Sequence, residues 1–215
     1  MYRLDGSSTW TEGLPGAAPS GYVVGHYTAV TNAEIDAAVA NMYAATPDNS
    51  QRFYKLYVNA NGLDITSGSY FVTVQRTDAD WGNIYCSQYS YYGMTVTRCK
   101  YGGAWQPWEW VNPPMQLGVE YRTTERWNGN VVYKKLIHCG KGPAGGALNL
   151  FPNTGTNSVF IDASCKARSN SGWSYFLDHF LTLGEYGSGD CVIALNAAKD
   201  LSAYDIYLEV KYYKA

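Results

Sequence analysis

Hydrophobic and polar positions change period along the chain, and the changes outline its elements. Ile35, Ala38, Val39 and Met42 recur at i, i+3, i+4 and i+7, the stripe of an amphipathic helix. Thr31-Asn32-Ala33-Glu34 ahead of them has capping-box form, and Pro47-Asp48-Asn49 stops the pattern. From Phe53 the period falls to two, predicting strands at Phe53–Val58, Ser69–Thr77, Asn83–Tyr91, Met94–Tyr101 and Trp105–Val111. A helix followed by short antiparallel strands reads as a small α+β domain. Residues 1–30, with Gly-Leu-Pro-Gly and Ala-Pro-Ser-Gly and no sustained period, read as a loose leader.

Asn112-Pro113-Pro114 interrupts the strands, because neither proline donates to a ladder and each restricts the residue before it. A domain boundary is expected there, with 112–118 as linker. Beyond it, Val119–Trp127 and Val131–Ile137 flank Asn128-Gly129, which suits a type I′ turn. Pairing about that turn sets Tyr121 beside Leu136, Thr124 beside Tyr133 and Arg126 beside Val131. It places Glu125 diagonally near Lys134 and Arg122 against Lys135, a like-charge pair unfavourable in isolation. Further strands are predicted at Ser158–Ala167, Trp173–Leu177, Asp190–Leu195 and Tyr204–Tyr213, between Gly-rich loops. Six or seven strands suffice for an antiparallel β-sandwich over 119–215. The expected fold class is therefore mainly β, a small α+β domain followed by a β-sandwich.

Composition narrows the functional classes. The 215 residues are 46% hydrophobic but only 16% charged, against roughly 25% in an ordinary domain, while Tyr (20) and Gly (22) are abundant. Fifteen per cent aromatic content supplies the burial that a disordered chain lacks. A net charge of −2 gives no electrostatic footprint for nucleic acid or an anionic membrane. No apolar run approaches the roughly 20 residues of a membrane span, and the polar first ten residues lack the form of a signal peptide.

Side chains that could carry chemistry are scattered. The five cysteines (86, 99, 139, 165, 191) show no CxxC or CxH spacing, which speaks against structural zinc. A two-residue turn at Tyr92-Gly93 would set Cys86 opposite Cys99 within disulfide reach, but two small buried hydrophobes in the reduced state are the preferred reading. His26, His138 and His179 lie in unrelated segments; Cys165 or Cys191 with His179 has no local support as a nucleophile and base. Asp162, Asp178, Glu185 and Asp190 read as loop and turn carboxylates rather than a glycosidase pair. Trp105, Trp108 and Trp110 read as core and interface area. What stands out is a set of rings amid polar, Gly-rich loops: Trp173, Tyr175 and Tyr186, with Asn170, Asp178 and Asp190 nearby. Such rings pack on sugar C–H faces or on protein, and packing of Trp173 and Tyr175 into a core is the competing reading. No cofactor or metal is expected.

Two stretches resemble a known family. Gly68-Ser69-Tyr70-Phe71-Val72-Thr73-Val74 and Gly103-Ala104-Trp105-Gln106-Pro107-Trp108-Glu109-Trp110, within 64–111, resemble the pyocin-knob-like modules of phage tail fibres and tail-like bacteriocins. The run Val111 to Gly129 is similar to a segment recurring in tail proteins from phages and prophages of gut Gram-positive bacteria, joining a knob module to a terminal β-domain. Together they cover about half the chain. The resemblance implies a knob-like domain at 31–111 and a receptor-binding domain at 119–215, in a homotrimeric tail fibre joined to other tail proteins. It implies a place in the virion after assembly in the host cytoplasm, this chain being a distal piece of a longer fibre. The expected partner is a host surface polysaccharide or protein, bound without catalysis through the ring set above, with neither nucleic acid binding nor membrane insertion. A tail-associated glycan depolymerase and a purely structural cap or trimerisation module are the alternatives.

Overall fold

The computed structural model describes residues 23–61, 64–89, 93–150, 158–169, 174–176, 181–186, 190–197 and 200–215. The chain is mainly β with one α-helix among these residues, and it divides into two compact units, Met1–Pro114 and Met115–Ala215.

In the first unit, β1 (Val23–Ala29) runs parallel to β2 (Ser50–Val58), and α1 (Asn32–Ala45) connects them. The last residues of the expected leader are thus an edge strand. The sheet continues antiparallel through β3 (Gly68–Arg76), β4 (Gly82–Gln88) and β5 (Thr95–Tyr101). The strand expected at Trp105–Val111 is split into β6 (Ala104–Trp105) and β7 (Glu109–Asn112), both on β5. Pro107 between them cannot donate to a ladder.

The helix begins as its sequence predicts. Thr31 Oγ1 accepts from Glu34 N at 3.2 Å and Glu34 Oε2 accepts from Thr31 N at 3.2 Å, closing the capping box. Ile35, Ala38, Val39 and Met42 are buried against the even-numbered positions of the sheet: Tyr54, Leu56, Val58, Tyr70, Val72, Val74, Ile84, Cys86 and Val96. At the other end the helix has no basic residue of its own in the last turn. Arg76 from β3 takes that place, donating from Nη1 to the carbonyls of Tyr43 (3.1 Å), Ala44 (3.3 Å) and Thr46 (3.1 Å). It thereby satisfies acceptors that the helix leaves open and complements its dipole.

The Cys86–Cys99 pairing is corrected. Cys86 lies opposite Val96 and Cys99 opposite Asn83, and both thiols are reduced. The strands stop at Gln88 and resume at Thr95, so the connection is longer than a two-residue turn and slides the register.

The described residues of the second unit form two antiparallel sheets. One runs in the order β8 (Glu120–Trp127), β9 (Asn130–Lys141), β15 (Tyr204–Lys214), β11 (Ser158–Ser169), β12 (Ser174–Phe176). The other is β10 (Gly146–Leu150), β14 (Asp190–Ala197), β13 (Leu181–Tyr186), in which β10 and β13 are strands the sequence pattern does not announce. Cys165, Ala167, Leu201, Ile206, Leu208, Val210 and Tyr212 form the core, with Leu148 of β10 packed on it.

Asn128 (φ 46°) and Gly129 (φ 81°) both take positive φ, as a type I′ turn requires. Arg126 faces Val131 as expected, but the rest of the predicted register is corrected. A bulge beyond Arg126 brings Tyr121 opposite Lys134 and Arg122 opposite Tyr133, so the Arg122–Lys135 repulsion never arises; Lys135 faces Glu120 instead. The bulge has a local cause: Thr123 is buried, its hydroxyl donates to Val132 O at 2.7 Å, and it accepts from Glu125 N at 3.3 Å. A side chain there replaces a ladder bond. Glu125 does pair with Lys134, and also with Lys211 at 3.3 Å.

Candidate functional site

Successive strand residues point to opposite faces, so burying the even positions of the first unit under α1 turns the odd positions outward. Register then assembles that outer face in rows. Gln51, Gln75, Asn83 and Cys99 form one; Phe53, Thr73, Tyr85, Thr97 and Glu109 the next; Lys55, Phe71, Ser87 and Thr95 a third. Tyr57 faces Ser69, and Tyr89 donates its N–H to Ser69 O at 3.1 Å, closing a fourth. Trp81 and Tyr101 extend the face at its other end. Six of these rings are exposed: Tyr57 45%, Trp81 43%, Phe71 44%, Tyr85 37%, Tyr89 52% and Tyr101 63%. Among the described residues on β2 to β5 and β7, Lys55 and Glu109 are the charged side chains of this face, and apart from Cys99 and Val111 the residues beside the rings are Ser, Thr, Asn and Gln.

The rings are held in pairs on firm supports. Trp81 and Tyr101 meet edge to face at 4.5 Å, and Phe71 and Tyr89 meet at 4.5 Å with Lys55 Nζ 5.6 Å above the Phe71 ring. Trp81 ends a loop pinned from several sides. Asp78 Oδ1 accepts from Asp80 N (2.7 Å) and Trp81 N (3.0 Å), and Thr77 N donates to Trp81 O at 2.9 Å. Lys100 Nζ donates to Ala79 O at 2.6 Å, and the Tyr43 hydroxyl lies 2.7 Å from the carbonyls of both Asp78 and Trp81. The next residue, Gly82, admits no side chain, because a Cβ would lie 2.5 Å from Gln75 O and 2.7 Å from Tyr43 Cε2. Tyr101 is set by a two-residue turn in which Gly102 (φ 56°) and Gly103 (φ 80°) both take positive φ. A ring held this way loses little conformational freedom on contact with a ligand.

The inward-facing tryptophans behave as the sequence suggests. Trp108 and Trp110 are buried, and Arg98 lies over Trp105 (5.7 Å) and Trp108 (5.4 Å) while pairing with Asp36 of α1.

The ring set expected in the second unit is only partly in view. Tyr175 lies on β12 opposite Ala167, and Tyr186 faces Asp190 at the end of the β13–β14 pair. Asn170, Trp173 and Asp178 lie outside the described residues, as does His179. Asp162 lies on the outer face of β11, opposite Lys211. Glu185 lies on β13 opposite Cys191.

Several of the described ionisable groups are taken up by structure. Burial pushes the Cys86 thiol up to about 12 and the Cys139 thiol up to about 11, far from a reactive thiolate. Partial burial opposes the charge on Glu125, yet Lys134 and Lys211 outweigh it and hold the carboxyl below its usual range. Hydrogen bonds from Lys141 and then His138 lower Asp205, and the His138 ring stacks on Tyr207 at 5.0 Å. Burial, then its bond to Glu120, raises Tyr212, whose hydroxyl donates to that carboxylate. Among the described residues no three His, Cys, Asp or Glu side chains converge as a metal site would require, and no helix is long and apolar enough to cross a membrane.

No family model matches the chain, and no curated protein matches it. Among solved structures it is similar to the C-terminal part of the R1 pyocin fibre of P. aeruginosa, at 13% identity and a TM-score of 0.28, over 90% of this chain and 68% of that one. An N-truncated R2-type pyocin tail fibre aligns at 9% identity and a TM-score of 0.29, over 89% of this chain and 98% of that one. The C-terminal domain of the Streptococcus pyogenes antigen I/II-family protein AspA aligns at 10% identity and a TM-score of 0.26, over 68% and 50%. Likeness of this extent establishes neither a shared fold nor a shared function.

Proposed function

We propose that the chain is a non-enzymatic attachment protein of the phage tail-fibre kind, which binds a glycan on a host cell surface. The observation that carries this reading is the outer face of the first unit: exposed, well-supported rings set among hydroxyl and amide side chains, almost without charge. Sugars present C–H faces that pack on rings, and hydroxyls that pair with Ser, Thr, Asn and Gln. Burying such a face costs little, since few ions must be stripped of water. The resemblance of residues 64–129 to tail-fibre segments points the same way. In this reading the protein acts as a homotrimer in the virion, joined to other tail proteins, so that three weak sites gain avidity. Trp173, Tyr175 and Tyr186, with Asn170, Asp178 and Asp190, are a second proposed contact, on the C-terminal unit.

The test is adsorption of the purified full chain to host cells and to their extracted surface polysaccharide, with light scattering for the oligomer. Saturable binding without release of reducing ends is expected. Cleavage of the polysaccharide would contradict the non-enzymatic reading, and absence of adsorption would contradict attachment.

A further inference from the structure

One strand aligns the rings. Trp81, Tyr85 and Tyr89 lie at four-residue intervals along β4 and its ends, all on the outer face. At about 3.3 Å per strand residue, successive rings are about 13 Å apart and the outer two about 26 Å apart. Each end is a platform of two rings, Trp81 with Tyr101 and Phe71 with Tyr89. Tyr85 stands between them, flanked by Thr73 and Thr97 across the ladder, with Asn83 and Ser87 on either side along the strand.

From this we infer that the face is a linear track for an extended, uncharged oligosaccharide chain running along β4. The inference rests on the glycan-attachment reading and adds the class, length and direction of the ligand. A terminal monosaccharide meets one ring, whereas only a chain of several residues reaches from Trp81 to Tyr89. The ligand is uncharged because the face offers no array of cations for an acidic polymer. Lys55 is its lone cation on β2 to β5 and β7 among the described residues, a single charge 5.6 Å over the Phe71 ring at one end of the track. A protein partner fits less well. Protein interfaces enrich Met and Arg beside their rings and are depleted in Ser, whereas among the described residues of β2 to β5 and β7 this face carries Ser69 and Ser87 and neither Met nor Arg.

The experiment is calorimetric titration of the full chain with cello-, chito- and galacto-oligosaccharides of graded length, with hyaluronan oligomers as the acidic probe. The account expects one neutral series to bind, with affinity climbing with length until both platforms are bridged and then levelling. Trp81→Ala or Tyr89→Ala should each weaken the long oligomer about tenfold while leaving the disaccharide within about twofold, because only bridging is lost. Both substitutions are at exposed rings, and an unchanged thermal transition would certify the fold. The track is overturned by length-independent affinity, by preference for hyaluronan, by no neutral series binding, or by full affinity in the Trp81→Ala/Tyr89→Ala variant. Concentration-dependent self-association abolished by Tyr85→Lys would also overturn it, in favour of a second copy. If host-cell adsorption persists unchanged in the double variant, the track fails alone; if the unaltered protein does not adsorb, the attachment reading fails with it.

Discussion

Each unit buries one face of an open sheet, and the two opposite faces are built differently. On the second unit the outward positions of β15 and its neighbours mix rings such as Tyr207 with paired charges: Asp205 with Lys141 and His138, Lys211 and Lys134 with Glu125. On the first unit the equivalent positions carry rings and neutral hydrogen-bonding groups. Ion pairs on a half-exposed sheet keep it hydrated and unattractive to a neutral ligand, and contribute little stability of their own. Exposed rings leave a surface whose water is easily displaced. The contrast teaches that outward strand positions need not serve the fold, so what occupies them reports on use.

That comparison can be broken or sharpened by substitution. The largest effect is expected at the support beneath Trp81. Gly82→Val would drive a side chain into Gln75 O and the Tyr43 ring, costing about 3 kcal/mol and displacing Trp81, as denaturant unfolding would register. Arg76→Ala removes the charged donor from the helix carbonyls and should cost about 2 kcal/mol in the same assay. On the paired face of the second unit, Glu125→Gln should cost about 0.5 kcal/mol and less at high salt. Smallest is Tyr85→Ser, expected to change stability by no more than about 0.5 kcal/mol while weakening glycan binding. A large stability loss there would make the rings structural and erase the contrast.

Alkaline pH probes the cores rather than the faces. Cys86 and Tyr70 are each pushed up to about 12 by burial. The folded chain keeps protons that the unfolded chain releases from about pH 8.5 for thiols and about 10 for phenols. Their contribution is therefore complete below those values and is lost as pH rises toward about 12, so unfolding free energy should fall progressively above about pH 8.5. A flat profile between pH 8 and 11, taken as a plain denaturation series, would show that these groups ionise in place.

Much of this was legible in the chain itself. The capping box at Thr31 and Glu34, the stripe from Ile35 to Met42 and the Asn128-Gly129 turn each combine a local signal with a local cause, and each is present. What escaped depends on tertiary packing. β1 hides in a Gly-rich stretch because a parallel edge strand draws its pairing from distant β2. The Cys86 register turned on a connection length that periodicity does not reveal. The bulge at Thr123 arises from one buried hydroxyl. The ring ladder was visible as even spacing at Trp81, Tyr85 and Tyr89, yet buried and exposed rings look alike in a sequence. Only the helix, by covering the even positions, decides which rings are left outside.

The most direct test maps the contact itself. Aromatic and indole N–H signals of the full chain would be followed by NMR while host surface polysaccharide is added. Shifts concentrated on Trp81, Tyr85, Tyr89, Tyr101 and Phe71, with the polysaccharide recovered intact, are the predicted result. Signals from these five rings that stay fixed while the polymer binds elsewhere, or is cut, would contradict the account.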